Sequence, residues 1–258
     1  FLNIVFFEFA DALRSRWMIF YALVVFSFSL LLLSMASGSA DVAASLLNFI
    51  LLIVPLFILI YGVVAFHNSL PFQRVIIALG VKRTTIYTGQ FLGRLAGLLP
   101  GFIGGLLLAF IFGGAIEGFT SLMLILVYGV LLNAVFLALA FFLSQLSERI
   151  ELLVAFAIGI WFILYILYDS IILVLVIFMG DFPLEGALLT LTFLNPIDTA
   201  RAVVLMQSNL QSLMTHSSAV YAKVLSGYIG VSIGTLVLCI QACVVTLWGL
   251  CLYKHRNL

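Results

Sequence analysis

Charge is scarce in this sequence: ten acidic and eleven basic residues among 258, or 8% of the chain, with a net charge of +1. Soluble domains carry about 25% charged residues, so a water-solvated globule is excluded. Near-neutrality also leaves no field for a polyanion, which sets nucleic acid aside. No GxxxxGK[ST] loop occurs, so the chain cannot cradle nucleotide phosphates by that route. HExxH, GxSxG and CxxC are missing as well, and the three histidines, His67, His216 and His255, are scattered. An intramembrane enzyme would need polar groups converging at one depth, and none converge by sequence. Cysteine is odd in number: Cys239, Cys243 and Cys251 all fall in the last apolar stretch. A disulfide framework is therefore not expected, and the three read as small buried hydrophobes.

What fills the chain is apolar: 65% hydrophobic residues, 24 Phe and a mean hydropathy of +1.34. Runs of about 20 apolar residues, the length that crosses a bilayer core, lie near 17 to 37, 43 to 65, 91 to 113, 121 to 143, 152 to 178 and 229 to 252. The expectation is an all-α, six-span membrane protein forming a single domain over residues 1–258. The first run ends in SMASGSA, like a signal-peptidase site, but its apolar core is too long for a signal peptide and reads as an uncleaved span.

Basic residues set the orientation. Arg14, Arg16, Arg74, Lys82, Arg83, Arg94, Arg149, Lys254 and Arg256, nine of the eleven, flank the even-numbered loops and both ends. Only Arg201 and Lys223 lie elsewhere, so both termini are expected in the cytoplasm. Asp169 falls eighteen residues after Glu151, about 27 Å across a core of about 30 Å. It reads as an interfacial, solvated carboxylate beside Tyr165 and Tyr168 rather than as a transport group.

Three stretches do something other than span. In residues 1–16 and the following Trp17, Leu2, Phe6, Phe9, Leu13 and Trp17 recur at helical spacing, opposite Glu8, Asp11, Arg14 and Ser15. The segment either lies in the membrane plane or extends span one. Within the cytoplasmic loop 66–90, Ser69 and Pro71 signal a helix start and Gly80 a stop. Between them Phe72, Val75, Ile76 and Leu79 form an apolar stripe, followed by the basic turn Lys82 and Arg83. The stripe fits a groove on a partner, or packs on the protein's own helices or on headgroups. The segment 180–228 is too broken to span, with Gly180, Asp181, Pro183, Gly186, Asn195 and Pro196 as punctuation. Its apolar pieces, 171 to 179 and 187 to 194, suit re-entrant or interfacial helices. Asp198 is placed to cap the next helix or to pair with Arg201.

Span three carries Gly89, Gly93, Gly97, Gly101 and Gly105, each four residues from the last. Such a ridge lets helix backbones approach closely, within one subunit or at a mobile subunit interface. Pro100 and Pro55 should bend their spans. Met206, Met214 and His216, or Cys239 with Cys243, are ligand types that suit copper. Gap-filling is their ordinary role, and no metal site is assigned.

The leader FEFADALRSRW, the loop helix and the broken outer segment together resemble the type-2 ATP-binding-cassette permeases. HNSLPFQRVIIALGVKRTTIYTGQFLG and FLNPIDTARAVVLMQSNLQSLMTHSSAVYAKVLSG are similar to the NosY-like members associated with nitrous-oxide-reductase maturation. The resemblance covers most of the chain through loose motifs, NPID with Arg201 being the most specific. Where many relatives carry an acidic residue and Gly-Thr-Leu, this chain has His67, Asn68 and Ser69.

The resemblance implies a non-catalytic subunit of a bacterial inner membrane that pairs with a second copy of itself. Two cytoplasmic ATPase subunits would bind ATP and Mg, with no cofactor on this chain. The helix from Pro71 to Leu79 would enter a groove on the ATPase and pass its closure to span three, and the loop Ser144 to Glu151 would make the second contact. A periplasmic NosD-like partner would dock on 180–228, in systems that supply copper or sulfur for metal-site assembly. A passive membrane scaffold without an ATPase is the competing reading.

Overall fold

The computed structural model describes residues 1–35, 39–113, 119–178, 185–207, 225 and 227–255, and every element among them is a helix. Lipid cannot hydrogen-bond a peptide group, so the backbone satisfies itself within each apolar segment. The elements are α1 (Leu2–Arg14), α2 (Arg16–Met35), α3 (Ser39–Ala78), α4 (Arg83–Gly113) and α5 (Phe119–Leu143). They are followed by α6 (Ile150–Phe162), a π-helical turn (Ile163–Leu167), α7 (Tyr168–Phe178), α8 (Glu185–Leu194), α9 (Pro196–Gln207) and α10 (Gly227–His255). Six spans result: α2, α3, α4, α5, the continuous α6 to α7 and α10. The apolar piece from 171 is thus the end of span five and not a separate interfacial helix.

α3 and α5 occupy the middle, whereas only 11% of the apolar window of span five, and 11% of that of α10, is buried. A Cβ on Gly62 would sit 2.6 Å from Ala140 Cβ, so α3 and α5 are in backbone contact there. The peripheral faces turn their apolar side chains outward, as Leu236, Ile240, Leu247 and Trp248 do. Cys239, Cys243 and Cys251 share that exterior, which corrects their reading as buried residues. In lipid an outward thiol behaves as an apolar group, so the packing energy that would bury it in a soluble protein is missing.

α8 and α9 meet at 115° around Asn195. Their limbs, about 15 and 18 Å long, are each too short for a core of about 30 Å, so the pair enters and returns. Asn195 supplies the cap: its Oδ1 accepts from the Ile197 amide at 3.0 Å, with Pro196 at the first helical position. Six crossings put both ends of the described chain on one side. Arg83 Nη1 donates to the Lys254 carbonyl at 3.0 Å, which joins the second loop to the last helix at that basic end.

Met214, His216, Lys223, Arg256 and much of the segment 180–228, Gly180, Asp181 and Pro183 included, lie outside the described residues.

Candidate coupling site and outer elbow

The loop helix expected from Ser69 and Pro71 does not begin there. α3 runs unbroken through Pro55 and Pro71 for 40 residues, about 60 Å, twice the hydrocarbon core. Ser69 does not cap: its Oγ donates back to the Phe66 carbonyl at 2.8 Å. The helix stops at Gly80, whose φ of +84° is open to glycine and strained for other residues. The stripe therefore sits on the protruding end of span two. Phe72 is 40%, Val75 59% and Leu79 77% exposed, while Ile76 is half-buried. Lys82 is exposed at the turn and Arg83 is tied to the last helix.

Behind the stripe runs a buried polar chain. Glu8 accepts from Arg94 Nε at 2.9 Å and from Gln90 Nε2 at 2.8 Å. Gln90 Oε1 accepts from Gln73 Nε2 at 2.8 Å, and Gln73 Oε1 accepts from Tyr253 OH at 2.9 Å. Four helices, α1, α3, α4 and α10, are thus joined by side chains that are each at most 4% exposed. Around the chain stand Phe66, Tyr87 and Phe141, with ring centroids 5.1 Å apart for Phe66 and Phe141, and 5.5 Å for Tyr87 and Phe141. The Arg94 guanidinium also lies 5.5 Å from the Phe141 ring centre. Low dielectric strengthens each bond and raises the cost of leaving one unmade.

The glycine ridge of α4 receives α1 and α2 of the same chain. A Cβ on Gly89 would meet Ile4, one on Gly93 would lie 2.6 Å from the Val5 carbonyl oxygen, and one on Gly97 would strike Ala12. Gly101 faces Met18 and Gly105 faces Ala22 and Val25. The partners advance in step with the ridge, so α1 and α2 both run alongside α4. α1 is an extension of span one, broken from it at Ser15, whose ψ is 137°. Its apolar residues Leu2 and Phe6 point outward and Glu8 points in, the arrangement a lipid-facing helix requires.

On the opposite side the NPID motif forms a second cluster. Arg201 Nη1 contacts Asp169 at 2.6 Å and Asp198 at 3.3 Å. Asn195 Nδ2 donates to Asp198 at 2.9 Å and to the Leu164 carbonyl, inside the π-helical turn, at 2.8 Å. The widened turn frees a carbonyl that a regular helix would occupy. Asp169 remains 47% exposed on its side chain, yet it is the ion-pair partner that joins α7 to α9. Asp198 pairs with Arg201 as its position suggested, but the cap is Asn195. Pro196 is buried, and so is Met206.

The chain matches no known family model and no curated protein sequence. No group of three or more His, Cys, Asp or Glu side chains suited to a metal occurs among the described residues. Gln73, Gln90 and Tyr253 were not singled out by sequence, and Glu8 and Arg94 were not seen as partners. Arg94 carried a usable signal, since it lies within the apolar run 91 to 113, where an ionisable side chain requires a partner.

Proposed function

We propose that this chain is the permease subunit of a type-2 ATP-binding-cassette transporter, driven by a separate cytoplasmic ATPase that holds ATP and Mg. The observation that carries the reading is the protruding end of α3. About 13 residues beyond the predicted span, near 20 Å of helix, present Val75 and Leu79 as exposed side chains, with Phe72 partly covered by Phe7. An apolar stripe on a rigid rod at that height is a handle for a partner groove. Force applied there enters the bundle through Gln73, which meets α4 and α10 directly and α1 through Gln90. In this scheme two copies pair across a bacterial inner membrane, each carrying one ATPase subunit, and the chain itself catalyses nothing.

The finer reading, a NosY-like role in copper-site maturation with a periplasmic NosD-like partner on the outer segment, rests on the resemblance of the loop and NPID stretches. The elbow at Asn195 supports it to the extent that it gives the outer segment a fixed, latched base from which to move.

Val75→Asp tests the coupling. Burying that side chain in a groove contributes about 1.5 kcal/mol, and an unpaired carboxylate there adds a further penalty of several kcal/mol. A loss of at least about 100-fold in ATPase affinity is expected, with the membrane domain still assembling. Failure of any nucleotide-binding subunit to co-purify with the parent chain would favour the passive scaffold.

A further inference from the structure

A second feature of the basic end is a cleft of about 340 Å³ between α1 and the lower part of α3, floored by Arg94 of α4. Its walls are mixed: Asp11, Ser15, Asn68, Ser69 and Tyr61 are polar, while Phe7, Phe72 and Trp17 form an aromatic rim. Phe7 and Phe72 stack with centroids 5.2 Å apart, which closes one end. Trp17 opens the first span, at the level where indole rings mark the membrane interface.

We propose that this cleft holds the headgroup of a zwitterionic phospholipid bearing a primary ammonium. Arg94 is 4% exposed and its Nε is committed to Glu8, yet its Nη1 has no hydrogen-bond partner. A buried guanidinium N–H in that state calls for an anionic oxygen, and phosphate geometry suits it. Asp11 lines the same cleft, is exposed and has no ion-pair partner among the described residues. Its carboxylate accepts hydrogen bonds from an ammonium. The cleft holds two carboxylates, Glu8 and Asp11, against one guanidinium, so a headgroup of net negative charge is repelled. Quaternary ammonium lacks the N–H donors that Asp11 calls for, although the aromatic rim would tolerate it. Phe20, exposed and on the α3 side of α2 with Trp17, both rings near Phe57 at centroid distances of 6.3 and 6.0 Å, gives the acyl chains a surface beyond the rim.

The purified full-length chain in detergent, exposed to equal amounts of phosphatidylethanolamine, phosphatidylglycerol and phosphatidylcholine of matched acyl chains, would be read by native mass spectrometry. Retention should follow phosphatidylethanolamine first. Asp11→Asn, on an exposed position, should lower that retention by about three- to fivefold with the unfolding temperature unchanged. Equal retention of the choline lipid, stronger retention of the glycerol lipid, or an Asn variant that binds like the parent would each overturn the assignment. No ATPase takes part, so this result and that of the coupling test are independent.

Discussion

Glu8 and Arg94 illustrate how much a single buried pair decides in an apolar protein. With both side chains at 4% exposure and 2.9 Å apart, removing one leaves the other as an uncompensated charge, at about 3–5 kcal/mol. Glu8→Ala should therefore unfold at markedly lower temperature or denaturant. The double replacement Glu8→Leu with Arg94→Met should recover part of the loss, because an apolar pair of similar volume carries no charge desolvation cost, while Gln90 Nε2, which donates to Glu8, is left unpaired. A double variant as unstable as the single would show that the pair itself was not the source. Elsewhere, Tyr21 OH donates to Asn133 Oδ1 at 3.3 Å, and Asn133 Nδ2 to the Gly129 carbonyl at 2.7 Å, bridging α2 and α5. The Tyr21 contact is not readable from spacing, since its partners are 112 positions apart.

Between helices, the ridge on α4 separates tight sites from open ones. Gly93→Ala would press a methyl to within 2.6 Å of the Val5 carbonyl and 2.7 Å of Glu8 Cβ, destabilising by about 1–3 kcal/mol. Gly104 has nothing within 4 Å, so Gly104→Ala should be neutral or stabilise by up to about 1 kcal/mol through helix propensity. Thermal unfolding in one detergent ranks the two, and the reverse order would refute the packing described. The four-residue glycine period was legible in the sequence, but not which helices it would receive. α3 shows the opposite case. Ser69, Pro71 and Gly80 are the punctuation of a free-standing helix, yet only Gly80 acts as written. The helix continues across Pro71 with Gln73, two residues on, bonded to Gln90 and Tyr253, and local signals cannot report such remote bonds.

Taken whole, the molecule is a bundle whose basic end is braced by polar bonds and whose opposite end is latched by Arg201. In a cysteine-free background, Lys82→Cys and Glu148→Cys should react with a membrane-impermeant maleimide from one side only, and Tyr228→Cys, exposed at the start of the last helix, from the other. Labelling of all three from the same side would break the six-span topology. That topology needs nothing beyond composition and order: about 20 apolar residues must become a membrane-crossing helix wherever they occur, and the distribution of Lys and Arg orients them. The stripe at Phe72, Val75, Ile76 and Leu79 is likewise a matter of local period. What joins the helices is different in kind. Glu8 meeting Arg94, Gln73 meeting Tyr253, and Asp169 meeting Arg201 are contacts between remote positions, chosen by which helix faces pack together. In lipid most faces are interchangeable in hydrophobicity, so close packing and buried hydrogen bonds select among them, and those exist only in the folded bundle.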